Sequence, residues 1–274
     1  ICLVGSEMCI RDRYNAGHGL PFDSEGMKER YPDIFFSQFT GAELVADKWN
    51  LSREDLDQFA LESHQKAAQA TESKYFDKEI LPVEGKNAEG INDLVMADEG
   101  IRFDASLDKL AGLNPVTEGG KITAGNASQI TDGAAAVLIC NDAGLKKIKS
   151  NPRAEIVSIS VVGDDPVFML TGPIPASHKA LDIAKLSIDD MDIYEVNEAF
   201  APVPLAWAEE LKADRSKLNV NGGAMALGHP LGATGAKLMT TMLHELERRK
   251  GKYALQAICE GGGTANATII KRVS

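Results

Sequence analysis

The sequence predicts an α/β protein, and three observations support this fold class. The chain has 274 residues, 44% of them hydrophobic and 25% charged, which is the composition of a folded globular protein. After Pro152, apolar runs rich in β-branched residues alternate with helical patterns, as expected when helices cover a sheet. Glycine-rich polar segments follow several of these runs, where α/β proteins place their ligands.

The first part of the chain is predicted to contain a loop and one well-defined helix. Residues 14–33 are rich in Gly, Pro and polar side chains, which is typical of a loop. A helix should follow Asn50, because Ser52 is a suitable N-cap and acidic residues occupy the next turn. Apolar and small residues at spacings of three and four predict its buried stripe, namely Leu56, Phe59, Ala60, Ser63 and Ala67.

The middle of the chain has weaker patterns. His64 lies beside the stripe and is interpreted as a surface or boundary histidine without a catalytic role. Residues 84–104 are polar and interrupted by glycine, which predicts a connecting excursion. The apolar run at residues 134–140 predicts a buried strand, although its length also allows a helix. Cys140, within that run, is interpreted as an inert core thiol.

The last 120 residues predict alternating strands and helices. Strands are expected at residues 154–163, 191–196 and 217–223, and in the two apolar runs around the glycines of residues 253–273. Helices are expected at residues 175–186, 201–211 and about 230–250.

Charge and cysteine content restrict the partners and the compartment. The net charge of −11 and the pI near 5.0 argue against nucleic acid or an anionic membrane surface as a partner. No apolar stretch approaches 18 residues, so no membrane-spanning helix is predicted. Four cysteines without a regular framework fit a reducing compartment, and a cytoplasmic location is predicted. Residues 1–13 are interpreted as a non-native read-through segment.

Three polar segments are the best candidates for a site. They are Asn197–Phe200, Gly228–Pro230 and Cys259–Gly263, and 32 and 30 residues separate Asn197, His229 and Cys259 in turn. One strand–helix crossover fits each interval, so the segments are expected to meet at one edge of the sheet. Each segment alone also fits a cap, a structural histidine or a core cysteine. Together they offer a general base, a thiol proton carrier and glycine N–H groups for an oxyanion hole, which suits acyl transfer with carbanion chemistry.

Two glycine-based alternatives fit poorly. The triple glycine at residues 261–263 leaves 11 residues after it, too few for the helix, strand and acidic residue of a dinucleotide-binding fold. The glycines at 228, 232 and 235 enclose Pro230 and lack the Gly-Lys-Ser/Thr signature of a phosphate loop.

These motifs identify a family resemblance. The segments NEAF, GHP and CEGGG, together with TAGNASQITDGAAAVL and NVNGGAMALGHPLGATGA, resemble the C-terminal two-thirds of a thiolase, an acetyl-CoA C-acyltransferase. The resemblance covers about residues 38–274. It implies a five-layer α-β-α-β-α fold, of which this chain would hold a loop domain, the tail of the first half and the complete second half. The corresponding boundaries are 14–117, 118–150 and 151–274.

The resemblance also implies roles for individual residues. His229 would deprotonate a nucleophilic cysteine and contribute to an oxyanion hole, and Asn197 would hold a water in that hole. Cys259 would carry the proton of the substrate α-carbon, and the Gly261 N–H would belong to a second hole. Coenzyme A would be a substrate rather than a permanently bound cofactor, no metal is expected, and the protein would be a homodimer or homotetramer. The residues expected to contact substrate or coenzyme A are Ser128, through the pantetheine arm, and Phe200.

Two departures from the family pattern affect the functional prediction. None of the four cysteines precedes the x-Ser-Gly sequence of the family's nucleophile, so the chain is expected to be N-terminally truncated and inactive alone. Where biosynthetic thiolases carry His-Met-Gly, the chain has Phe36-Ser37-Gln38-Phe39, which favours a degradative enzyme for bulkier 3-ketoacyl-CoA substrates. The alternative is a thiolase-like module that binds CoA thioesters or lipids without chemistry.

Overall fold

The computed structural model describes residues 16–17, 21–86 and 90–273. The predicted read-through segment, with Cys2 and Cys9, lies outside this part of the chain. The helices within it are α1 Glu25–Arg30, α2 Gln38–Lys48, α3 Arg53–Glu72, α4 Leu107–Ala111, α5 Asp142–Ile148, α6 Pro173–Ala184, α7 Pro202–Leu211, α8 Ala224–Leu227 and α9 Thr234–Arg249. The strands are β1 Val83–Lys86, β2 Asn92–Val95, β3 Ala154–Gly163, β4 Ile193–Val196, β5 Tyr253–Cys259 and β6 Thr264–Arg272.

One four-stranded sheet organises the second half of the described chain. Its strand order is β3-β6-β5-β4, with β4 and β5 parallel and the other neighbours antiparallel. Helix α6 covers one face and α9 covers the other, so the sheet and its helices form three α-β-α layers. The α/β class predicted from the sequence is confirmed, and strand β3 has the predicted bounds.

The hydrophobic cluster that contains Trp207 lies against the α6 face of the sheet. Trp207 and Tyr194 are fully buried there with their rings 5.3 Å apart, and the Trp207 indole N–H donates to the Ser177 hydroxyl. The predicted stripe of α3 is buried, and Ser52 forms a capping box with Asp55. That box satisfies the first free N–H groups of α3, which explains why the helix begins at the predicted position.

The prediction of a buried strand at residues 134–140 is wrong. The segment has no regular secondary structure, Leu138 is 77% exposed, and Cys140 is exposed rather than in the core. An apolar run becomes a strand only where a neighbouring strand pairs with its backbone N–H and C=O groups. Among the described residues, no strand lies beside this run.

Four smaller predictions also require correction. His64 is buried rather than at the surface. The backbone N–H of Arg102 donates to its Nδ1 at 3.1 Å, and burial lowers the pKa of His64. Residues 14–33 contain α1, which has no buried face and therefore left no apolar pattern. Strands β1 and β2 form a hairpin within the predicted excursion. At 217–223, isolated bridges replace the predicted strand, because Asn219 has a φ of 44° that interrupts extended backbone.

No helix in the described ranges is long and apolar enough to cross a membrane.

An ion pair between α9 and the segment after α3 predicts a pH-dependent stability. His244 Nδ1 lies 3.4 Å from Glu79 Oε2, and the hydrogen bond to Glu79 raises the pKa of His244. This contribution is fully present below the unfolded-state pKa of about 6.5 and is lost as the pH rises through the folded-state value. The free energy of unfolding should therefore fall over that interval, and Glu79→Gln should flatten the fall in urea titrations. The exposed Glu84→Gln is the control, and an unchanged slope in Glu79→Gln would contradict the assignment.

Candidate active site

Asn197 and His229 meet at the carboxyl end of β4. Asn197 follows the strand directly, and its backbone N–H donates to the Ala257 carbonyl of β5 at 3.0 Å. Its side-chain Nδ2 lies 3.4 Å from Nε2 of His229, which precedes α9. The Asn197 Oδ1 is buried and has no hydrogen-bond partner among the described residues. Two of the three predicted segments are therefore in direct contact.

Cys259 lies at the same edge of the sheet. It is the last residue of β5, two positions beyond the carbonyl that accepts from Asn197, and it is 8% exposed. Its side chain packs in the same core cluster as Leu255 and Ala257, on the strand face opposite that of Ile258, which lies against Gly235 of α9. Asn197 and Cys259 thus lie at the ends of neighbouring parallel strands, whereas a direct approach of the Cys259 thiol to His229 stays a prediction.

The segment around Ser128 connects the segment Asn197–Phe200 to the segment Gly228–Pro230. The backbone N–H of Ser128 donates to the Ala199 carbonyl at 2.9 Å, and Ala127 forms an antiparallel bridge with Phe200. One residue further on, the Gln129 carbonyl accepts from the His229 N–H at 3.2 Å. Ser128 is half-buried and lies between the two motifs, so this segment sets their separation.

Gln129 was missed by sequence reasoning. Its side-chain Nε2 donates to the carbonyls of Gly100 and Met225 at 2.8 and 2.7 Å, which ties the segment around Gly100 to α8. Its position next to Ser128 was the available signal.

Glu198 is a second residue that the sequence did not single out. It is fully buried and accepts hydrogen bonds from the Ser63 hydroxyl, the Asn219 amide and the Met225 N–H at 2.7, 2.8 and 3.2 Å. Burial raises the pKa of Glu198, and these three hydrogen bonds oppose the rise. Its carboxyl group therefore joins α3, the turn after β4 and α8 behind the site.

Gly223 leaves the space that Glu198 occupies. A Cβ at position 223 would lie 2.2 Å from Glu198 Cδ, so Gly223→Ala should displace the carboxyl group and lower the free energy of unfolding by about 3 kcal/mol. Urea denaturation measures the change. Gly26→Ala is the matched control, since a Cβ there meets nothing within 4 Å. Equal unfolding midpoints for the two variants would contradict this packing argument.

The environment of His229 keeps its imidazole neutral. The pKa of His229 is lowered to about 4. Burial of the ring is the larger cause, and the nearby positive charge of Lys237 is the smaller one. Its Nδ1 lies 2.6 Å from the Thr234 hydroxyl oxygen. A neutral imidazole has one nitrogen that carries a lone pair, as a general base requires.

Phe200 and Gly261 occupy different surroundings. Phe200 is buried, and its ring packs edge-on against Phe39 at 5.3 Å. Gly261 is exposed in the 3-10 turn Gly261–Gly263 that joins β5 and β6. Gly262 and Gly263 have φ angles of 76° and 82°, which explains the glycines in this turn. Within the described ranges, no cluster of three His, Cys, Asp or Glu side chains could hold a metal ion.

The fold and site together define an α/β protein in which a neutral histidine contacts a buried asparagine at the end of β4, with a buried cysteine at the end of β5. Family models for the N-terminal and C-terminal domains of thiolase match residues 14–143 and 150–272. The chain belongs to the thiolase family.

Individual relatives agree with this assignment. The chain is 55% identical to steroid 3-ketoacyl-CoA thiolase FadA6 of Mycobacterium tuberculosis over 92% of its length and 60% of the relative. It is 45% identical to mitochondrial 3-ketoacyl-CoA thiolase of Mus musculus, covering 98% of this chain and 69% of the relative. The crystal structure of human mitochondrial 3-ketoacyl-CoA thiolase superimposes with a TM-score of 0.82 at 45% identity, covering 86% of this chain and 59% of that one. The thiolase-like fold predicted from the motifs is confirmed, and the chain spans about 60% of the length of most of these relatives.

Proposed function

We propose that this chain supplies the second half of a degradative thiolase active site, which cleaves 3-ketoacyl-CoA with coenzyme A. The contact between Asn197 Nδ2 and His229 Nε2, beside the buried Cys259, carries this proposal. Relatives named 3-ketoacyl-CoA thiolases, and a human thiolase structure in complex with CoA, support the substrate class. No permanently bound cofactor or metal is part of the proposal.

Thiolysis divides into two acyl transfers. His229 takes the proton of the nucleophilic cysteine, whose sulfur then forms a bond to the 3-keto carbon of the substrate. The C2–C3 bond breaks, its electron pair passes to C2 as an enolate, and Cys259 protonates C2 to release acetyl-CoA. The thiol of coenzyme A then gives its proton to the Cys259 thiolate and displaces the shortened acyl group from the enzyme, and the released cysteine thiolate takes back the proton held by His229.

The buried groups suit the charges that develop in these steps. His229, protonated at this stage by the nucleophilic cysteine, and a water held by Asn197 Oδ1, which has no hydrogen-bond partner among the described residues, would stabilise the enolate oxygen. The exposed Gly261 N–H would hold the carbonyl oxygen of the acyl-enzyme. Ser128 would contact the pantetheine arm, since its segment lies between the two motifs.

The apolar contact of Phe200 with Phe39 supports a pocket for bulky acyl groups. Phe39 is 37% exposed, so its ring can contact a ligand while it packs on Phe200. Turnover of acetoacetyl-CoA and of longer 3-ketoacyl-CoA substrates by the complete enzyme tests this preference. Faster cleavage of acetoacetyl-CoA would contradict it.

The cellular setting and the assembly belong to the same proposal. Four cysteines without a disulfide framework support the cytoplasm as the location. Exposed apolar side chains, including Leu138, Ile159 and Val161, support burial against further protein surface, as in a homodimer or homotetramer. Sedimentation of the complete enzyme measures its oligomeric state.

Measurements of turnover with and without the upstream sequence distinguish the catalytic proposal from the non-catalytic one. The purified 274-residue chain should not cleave acetoacetyl-CoA, because no cysteine in it has the x-Ser-Gly sequence of the family's nucleophile. The chain extended by its upstream coding sequence should do so, provided that this sequence contains the motif. If the upstream sequence lacks the motif, and the extended chain binds CoA without turnover, the non-catalytic binding module would be favoured. Turnover by the 274-residue chain alone would refute the assignment of the nucleophile.

A further inference from the structure

Thr234 is the side chain that contacts the second ring nitrogen of His229. It is the first residue of α9, is 2% exposed, and places its hydroxyl oxygen 2.6 Å from His229 Nδ1. The same hydroxyl donates to the Pro230 carbonyl at 3.0 Å. The Thr234 side chain therefore lies between the imidazole and the turn that precedes α9.

We propose that Thr234 is a positioning residue that holds His229 as the Nδ1–H tautomer and leaves the lone pair on Nε2. This inference rests on the proposed role of His229 as a general base. A threonine hydroxyl has one proton. Because that proton is donated to Pro230, the hydroxyl oxygen accepts from Nδ1, which must then carry the ring proton.

The opposite side of the ring is consistent with this arrangement. The Asn197 Nδ2 is a donor, and it lies 3.4 Å from His229 Nε2, so Nε2 acts as the acceptor. The backbone N–H of His229, bonded to the Gln129 carbonyl, anchors the residue at its main chain. With both nitrogens and the backbone held, the lone pair of Nε2 has a defined direction, which proton transfer from a thiol requires.

A second arrangement of the same atoms makes the proposal falsifiable. The Pro230 carbonyl also accepts from the N–H groups of Ala233 and Thr234, at 2.8 and 2.9 Å. If these two satisfied it, the hydroxyl could donate to Nδ1 instead. The proton would then lie on Nε2, where it would remove the base that faces the site.

Nitrogen-15 NMR of the 274-residue chain distinguishes the two tautomers at neutral pH. The two-bond correlations between ring protons and nitrogens differ between them, and loss of a signal in His229→Gln assigns the residue among the five histidines. The wild type and Thr234→Ser should show the Nδ1–H form, and Thr234→Val should shift toward Nε2–H. Thr240→Val is the matched control, because Thr240 of α9 also donates to a carbonyl four residues earlier, at 2.8 Å. A wild-type spectrum of the Nε2–H form would overturn the proposal, even if Thr234→Val does not fold, and so would an unchanged tautomer in Thr234→Val.

Kinetics of the complete enzyme adds a second test. Thr234→Val should slow acylation about tenfold or more at an unchanged KM for the acyl-CoA. Thr234→Ser keeps the hydroxyl group and should retain the wild-type rate of acylation. Equal slowing by Thr240→Val would indicate a purely structural effect and overturn the proposal. The tautomer does not depend on turnover, so an Nδ1–H ring in an inactive complete enzyme would contradict the thiolase assignment and leave the role of Thr234 intact.

Discussion

Cys259→Ser in the complete enzyme should reduce thiolysis by about 10²- to 10⁴-fold while leaving acylation by acetyl-CoA nearly unchanged. A serine hydroxyl is far less acidic than a thiol with a pKa of about 8.5, so it is a poor carrier for the α-carbon proton. Acylation moves no proton at that carbon. Radiolabelled acetyl-CoA measures acylation, and deuterium exchange from solvent measures proton transfer at the α-carbon.

The chain provides a matched control for this substitution. Cys140 is exposed, whereas Cys259 is buried at the end of β5. Cys140→Ser makes the same chemical change away from the site and should retain full thiolysis and exchange. If both variants lost activity equally, a general effect on folding would replace the assigned role of Cys259.

His229→Ala should instead lower the rate of acylation by about 10²- to 10⁴-fold, because the nucleophilic cysteine loses the base that takes its proton. The substitution also removes the ring that lies between the Asn197 amide and the Thr234 hydroxyl. The same trapping experiment with radiolabelled acetyl-CoA measures the loss.

The buried His64 serves as the control histidine. Its Nδ1 accepts from the Arg102 backbone N–H at 3.1 Å. His64→Ala should lower stability but retain acylation in the folded fraction. The two catalytic assignments would be reversed if Cys259→Ser abolished acylation and His229→Ala abolished α-proton exchange alone.

Local patterns in the sequence were sufficient for elements whose partners lie nearby in the chain. Strand β3 has the predicted bounds, because its β-branched residues favour extended backbone along its whole length. Helix α3 begins where Ser52 predicts an N-cap, and the capping box that Ser52 forms with Asp55 joins residues only three apart. The spacing of Asn197, His229 and Cys259 likewise predicted a shared edge, since each motif follows one strand or crossover.

The sequence by itself thus determined the fold class and the family, and it predicted the residue types of the site. Tertiary structure alone decided what surrounds them. Residues 134–140 are apolar enough for a strand but have none beside them in the described structure. Glu198 accepts a hydrogen bond from Ser63, which lies 135 residues earlier in the chain. The physical reason is that propensity and capping act within a few residues. Strand pairing, burial and the contact of His229 with Asn197 require groups brought together from distant parts of the chain.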